Sequence, residues 1–466
     1  MAAVSGSCLF SINISRRKSF VNRRDFVKAG AVLGAAASMP SFGFASAKGS
    51  DRIKVGLIGC GGRGTGASIN MLNADKNVEF VAFADLFEDK LDGSIKRIAE
   101  AAQKVAPESA KQIIDPSKVK RFSGWNAVDE LLADKDIDVV IEATPPVFRT
   151  IHYKKIVAAG KHAFLEKPAC IDITQAREML ELADEADKKG LCVVCGTQRR
   201  YHEGYQEIIK RVKDGMIGDF VSAQCYWNGG YYVGHGQHDA MEKQGILKGL
   251  TPDDMEYQIR NWFSFIWASG DHIVEQHVHN IDVIMWALGD NRMPVDVRGF
   301  GGRSTDLPVP TYGDRFSHFA VDFDMGNGLR LASYCQQDPK VADEVGERIV
   351  GTKGIMSTAL FGGACKITDL KGNVLYAAPE KVAQCLEMEH KFLLDHIREG
   401  KKVNTLRTLV NSTLLAIAGR MSAFSGKKFK FEWMLRRSRE NLVPEKLAFV
   451  KNPVAGVPVP GKYRLV

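Results

Sequence analysis

The sequence has no run long and apolar enough to cross a bilayer, no internal repeat and no low-complexity tract. Membrane spans, solenoids and disordered linkers are therefore set aside as its main class. It is also poor in cysteine that can pair. Of nine cysteines in 466 residues, only Cys192 and Cys195 stand close together, in "LCVVCG". That stretch is apolar and β-branched and reads as a strand, in which positions i and i+3 point to opposite faces; buried thiols are favoured over a redox or zinc C-x-x-C. A surplus of positive charge is missing too. The formal net charge is +8, but the first 47 residues hold six of the 63 basic residues and one of the 55 acids, leaving about +3. Nucleic acid is disfavoured as a partner.

What is present begins with those 47 residues. A twin arginine, Arg23–Arg24, precedes Phe26, Val27 and Lys28, then a mildly apolar stretch Ala29–Phe44 and an A-x-A site at Ala45–Ser46–Ala47. This is the pattern of a cleaved twin-arginine export signal, the type that carries proteins already folded. No cysteine lies near the cleavage point, so a soluble periplasmic protein is expected, not a lipoprotein.

From residue 53 short β-rich runs alternate with amphipathic ones: "IKVGLIG", "VEFVAFAD", "IDVVIEAT", "HAFLEK" and "LCVVCGT", separated by helical patterns such as "TQAREMLELADEADKKG". This predicts a doubly wound parallel sheet over 48–199. Beyond about residue 200 the runs alternate apolar with polar, as in "FVSAQCYWNGG", "SHFAVDFDM" and "LRLASYCQQ". These predict an α/β domain over 200–435 with a large open, mainly antiparallel sheet. Residues 436–466, with Pro453, Pro458 and Pro460, read as an extended tail.

"GLIGCGGRGTGAS" fits G-x-G-x-x-G at Gly59, Gly61 and Gly64, with Gly62 and Arg63 between, directly after a strand and before a helix. Gly59 allows the tight turn, Gly61 lets backbone approach a pyrophosphate, and Gly64 allows close helix–strand packing. The second strand ends in Asp85, 26 residues on, where an acid binds a ribose 2′-hydroxyl and repels a 2′-phosphate. A bound dinucleotide is expected, NAD in preference to NADP.

"GKHAFLEKPA" (160–169), together with the glycine loop, "TPP" (144–146) and "GTQRRY" (196–201), resembles the Gfo/Idh/MocA oxidoreductases, the group of glucose–fructose oxidoreductase and inositol dehydrogenase. The resemblance implies a Rossmann domain followed by an α/β domain whose open sheet often makes oligomer contacts, so a homo-oligomer is expected. It places Thr144, Pro145, Glu166 and Lys167 at the cofactor, with Lys167 beside nicotinamide and substrate. The family's D-x-G-x-H-x-x-D motif falls on Glu275-Gln-His277-Val-His279-Asn-Ile-Asp282. His279 takes the acid/base position; Glu275 replaces an Asp and His277 a Gly.

Taken as one helix, "SGDHIVEQHVHNIDVI" (269–284) puts His272, Glu275, His279 and Asp282 within about an 80° arc. His277 falls nearer an apolar stripe of Val274, Val278, Ile281 and Met285. Three readings of the cluster stay open: acid/base catalysis by His279 with Lys167 and Glu275, a cation held by His272, Glu275 and His279, or satisfied polar residues at a domain boundary. The first is preferred, with no metal. Substrate contacts are expected from Tyr201, His272, Glu275, His279 and the aromatic stretch "CYWNGGYYVGHGQHD", specifically Trp227, Asn228, Tyr232 and His235. "QIRNWFSFIW" (258–267) offers a wall for the same pocket, with at least half of it expected in core packing.

The resemblance and the export signal together imply a periplasmic dehydrogenase acting on a hydroxyl of a glycoside, sugar or cyclic polyol, C3 of a glycoside being the preferred site. Free NAD is scarce outside the cytoplasm, so the cofactor is expected to be tightly bound and recycled in place. The alternatives are an NAD-dependent glycoside hydrolase and a non-catalytic sugar sensor on the same fold.

Overall fold

The computed structural model describes residues 52–229, 235–359, 365–379 and 384–466. Six strands, β1 (Ile53–Ile58), β2 (Val78–Asp85), β3 (Lys120–Ser123), β4 (Val139–Glu142), β5 (His162–Leu165) and β6 (Val193–Cys195), form a parallel sheet in the order β3-β2-β1-β4-β5-β6. This is the doubly wound order, whose reversal between β1 and β4 opens a crevice at the strands' carboxyl ends. Helices on both faces explain the near-continuous apolar strands. The edge strand β3, "KRFS", is charged and largely exposed, and hydrophobic pattern gave no sign of it. Charge is how an edge strand avoids pairing with another chain.

Local signals fix the helix ends. Helix Ile173–Lys189 starts where the Asp172 carboxylate accepts the Gln175 N–H at 2.8 Å, and stops at Gly190, whose φ of +70° suits glycine. Cys192 and Cys195 join hydrophobic clusters on opposite sides of the sheet. All eight cysteines among the described residues are free thiols.

The second sheet has nine strands: β7 (Phe220–Gly229), β8 (Asp296–Gly302), β9 (His318–Asp324), β10 (Arg330–Gln337), β11 (Glu344–Gly351), β12 (Gly354–Ala359), β13 (Lys366–Asp369), β14 (Val374–Ala377) and β15 (Phe429–Lys430). They run in the order β14-β13-β12-β11-β7-β10-β9-β8-β15 and are antiparallel except for β7 with β10. One face packs on helices Val278–Leu288 and Leu406–Ser425. On the other, Phe300, Ala320, Tyr334 and Tyr226 stand in register across four strands, and Phe300 is 61% exposed.

Two expectations about boundaries change. Helix Cys385–Glu399, expected in the second domain, sends Leu393, Leu394 and Ile397 into the hydrophobic cluster of the first. The tail has little regular structure, yet Leu442, Val450 and Val454 pack with Phe87 and Phe265, and Val450 O accepts the Met255 N–H at 3.0 Å. Among the described residues no helix is long and apolar enough to cross a membrane.

Helix Val278–Leu288 is anchored by one buried carboxylate. Asp282 receives Arg200 Nε at 2.7 Å, Arg200 Nη2 at 2.9 Å and Ser412 Oγ at 2.8 Å. Removing it leaves the Arg200 guanidinium with Asp290 alone, at 2.7 Å, and takes away three hydrogen bonds, so Asp282→Ala should lower unfolding stability by about 3 kcal/mol, read from urea denaturation midpoints.

Candidate active site

The glycine loop opens the crevice. Gly59 has φ +92°, and a Cβ there would come within 2.8 Å of the Ala143 carbonyl; at Gly64 it would meet the Gly59 oxygen at 1.8 Å. At Gly61 and Gly62 a Cβ would meet nothing within 4 Å, because both border open space. That space is a cavity of about 500 Å³ lined by Gly59, Gly61, Gly62, Arg63, Asp85, Thr144 and Pro145 on one side and by Trp125, Phe148, Arg260 and Trp262 on the other. Asp85 accepts the Cys60 N–H at 2.7 Å and the Phe87 N–H at 2.9 Å, tying the loops after β1 and β2 together. Burial pushes its carboxyl upward in pKa. A narrow backbone cradle at a helix start, with an acid and aromatic walls beyond it, fits a dinucleotide.

Part of "QIRNWFSFIW" lies at this cavity: Ile259, Arg260 and Trp262 line it. Arg260 crosses from helix Met255–Arg260 to Asp89 at 3.2 Å and lies over the Phe87 ring, 3.8 Å from its centroid.

Around Thr144 and the E-K-P segment, two arginines do what the sequence did not announce. Buried Arg149 donates to Glu142 Oε2 at 2.9 Å, the Thr144 carbonyl at 2.8 Å and the Pro168 carbonyl at 2.6 Å. It joins the loop after β4 to the loop after β5. A cation inside "PVFRTIHYKKIVAAG" facing the apolar side was the available signal. Arg63 donates to Glu166 and approaches Glu389 at 3.5 Å; burial, then repulsion from Glu166, holds the Glu389 carboxyl well above its ordinary pKa.

Lys167 reaches across to the second domain. Its Nζ donates to Glu275 Oε1 at 2.6 Å and to the Glu275 carbonyl at 2.7 Å. That carbonyl is available because the expected single helix is broken: His272–Glu275 and Val278–Leu288 are separate. His279 N–H turns to Gln276 O at 3.3 Å instead of bonding Glu275 O, as an unbroken helix requires.

The break dissolves the expected arc. His272 is buried, and its Nδ1 lies 3.0 Å from Asp271 Oδ1. His272, Glu275 and His279 do not bring three ligand atoms together, so that cation option is withdrawn. His277 does lie on the apolar side, fully buried, with Nε2 2.8 Å from Ser333 Oγ. His279 is stacked on Trp227, ring centroids 5.9 Å apart and planes 27° apart, while Arg199 lies 5.6 Å from the Trp227 centroid. Burial, then the positive charges of Lys167 and Arg199, push the His279 pKa well below 6.5, so the imidazole is neutral at neutral pH.

Other expected contacts separate. Strand alternation turns Asn228 to the face opposite Trp227, with Tyr226, so the two do not face one cleft. Tyr201 packs on Phe392, ring centroids 5.5 Å apart. Tyr232 lies outside the described residues; of His235 only the backbone, at the start of helix His235–Lys243, is described.

Residues 53–194 match the family model "Oxidoreductase family, NAD-binding Rossmann fold" (GFO_IDH_MocA), and residues 21–40 match the twin-arginine signal. The Rossmann domain belongs to the Gfo/Idh/MocA family, and the leader directs export by the twin-arginine route to the periplasm. The chain is 32% identical over 154 residues to an uncharacterised oxidoreductase of Schizosaccharomyces pombe, covering 33% of this chain and 37% of that one. It is 25% identical over 177 residues to a glycosyl hydrolase family 109 protein of Shewanella pealeana, 38 and 35% of the two chains. With scyllo-inositol 2-dehydrogenase (NAD(+)) of Bacillus subtilis it shares 23% over 283 residues, 58 and 71%. The chain thus spans little more than a third of the first two relatives' length. The crystal structure of GenD2, from gentamicin A biosynthesis, in complex with NAD has the same fold: TM-score 0.60 at 17% identity, covering 82% of this chain and 96% of that one.

Asp85→Ala should weaken NAD binding about 10-fold or more, measured by calorimetric titration, since a charged hydrogen-bond acceptor is lost. His277 is held down to a pKa of about 3, chiefly by burial. The unfolded chain therefore binds an extra proton below pH 6.5, and stability falls as pH drops. Between pH 7.5 and 5 this residue should remove about 2 kcal/mol, and His277→Gln should flatten the urea-midpoint profile by that amount.

Proposed function

We propose that this protein is a periplasmic NAD-dependent dehydrogenase that oxidises a ring hydroxyl of a glycoside, sugar or cyclic polyol, with C3 of a glycoside as the preferred position. The observation that carries the reading is Lys167, held by the carboxylate and the backbone carbonyl of Glu275, its charge acting on a neutral His279 stacked on Trp227. Gly59, Gly61, Gly62, Arg63 and Gly64 would hold the pyrophosphate and Asp85 the adenosine ribose. A bound nicotinamide supplies the hydride acceptor.

The chain's own residues do the rest. Lys167 donates a hydrogen bond to the reacting hydroxyl oxygen, stabilising the negative charge that develops there. Neutral His279 accepts the hydroxyl proton, and the carboxylate of Glu275 keeps the ammonium oriented. Trp227 holds the imidazole plane. Export in the folded state, away from any pool of free NAD, favours a cofactor loaded before transit, retained and recycled within the site. The in-register row Phe300, Tyr334 and Tyr226 on the open sheet face suits a homo-oligomer contact.

A second reading, redox-neutral glycoside hydrolysis on the same fold, is favoured by the similarity to the glycosyl hydrolase family 109 protein. A set of aryl glycosides and inositols separates the readings. Dehydrogenation yields a keto product and reduced NAD; hydrolysis releases the aglycone; a sugar sensor does neither. Lys167→Met and His279→Ala should each lower turnover about 10²- to 10⁴-fold while the nucleotide still copurifies. Unchanged turnover in both variants rules out the assigned roles.

A further inference from the structure

Helix His235–Lys243 stands between two cavities. At 100° per residue, Gln237, Ala240 and Met241 share one face, and all three line the dinucleotide cavity. His238, Asp239 and Glu242 occupy the opposite face. His238 and Glu242 line a second cavity of about 430 Å³, with Tyr257 and Thr311 in its wall. None of these residues belongs to the proposed redox centre.

The second face carries a set of potential ligands. One donor atom each from His238, Asp239 and Glu242 lies within 4.8 Å of the others. His238 is only 4% exposed, wedged against Tyr312 at 4.6 Å and Tyr257 at 6.0 Å between ring centroids. Its Nδ1 lies 3.2 Å from Asp239 Oδ1, which also accepts the Tyr312 hydroxyl at 3.0 Å. A buried imidazole on a cavity wall, its Nδ1 already facing the carboxylate that would share the ion, is a prepared metal ligand.

We propose that His238, Asp239 and Glu242 bind one divalent cation of the zinc or manganese class. One imidazole and two carboxylates suit those ions, and three protein donors leave positions for water. The ion would fasten the helix that roofs the dinucleotide cavity, because Asp239 is already tied through Tyr312 to the segment before β9. This assignment stands whether or not the redox reading holds.

The test uses the mature chain, stripped with EDTA and titrated calorimetrically with ZnCl₂ and separately with MnCl₂. One saturable ion per chain is expected, lost in His238→Ala and weakened about 10- to 100-fold in Glu242→Gln. Glu242 is exposed, so that variant keeps the test decisive if His238→Ala fails to fold. No binding of either ion by the unaltered chain overturns the assignment. So does binding that Glu242→Gln leaves at full strength.

Discussion

Everything at the centre of this molecule depends on one ion pair between its two domains, Lys167 with Glu275. Drawing an ammonium and a carboxylate out of water costs several kcal/mol each, and only close, multiply bonded geometry offsets that. Here the offset comes from two oxygens of one residue. The side chain alone would leave the lysine free to swing; the added carbonyl fixes its direction. That carbonyl is available only because the polypeptide stops being helical after Glu275, so a local irregularity of backbone is what makes the domain junction specific.

The junction is reinforced by charges spaced around it. Arg149 binds the loops after β4 and β5 to each other, Arg63 links the glycine loop to Glu166 and Glu389, and Arg200 locks Asp282 on the helix that bears His279. Each is a cation held within the protein by carboxylates or carbonyls from a different element. Such groups set geometry more than they add stability, since apolar residues of equal volume often serve stability as well. Their concentration at the crevice places the rigidity where a reacting hydroxyl needs fixed neighbours.

How much of this was legible in the sequence depends on the range of the interaction. The parallel sheet and the alternating strands of the second sheet follow from periodicity within ten residues, and the glycine loop with Asp85 from a motif within about thirty; the structure has all three. β3 escaped because a charged, four-residue edge strand has no hydrophobic period. The histidine cluster is not legible locally for a different reason: an arc over His272, Glu275, His279 and Asp282 requires uniform turns, whereas Lys167, over a hundred positions away, bonds the carbonyl at the break. Asn228 and Trp227 are neighbours on one strand, and its alternation sends them to opposite faces. Glu389 reaches the glycine loop from more than 320 positions away, and no local pattern announces that.

The free thiols bear on life outside the cytoplasm. Seven of the eight described cysteines are buried, and burial raises thiol pKa values, as at Cys195 and Cys225. The reactive thiolate is thereby kept scarce. A polypeptide translocated after folding never offers these sulfurs to the oxidising machinery that crosslinks nascent secreted chains. Its protection against oxidants is therefore a property of compactness itself: any excursion that loosens the interior exposes sulfur, and oxidation would turn a reversible opening into permanent damage.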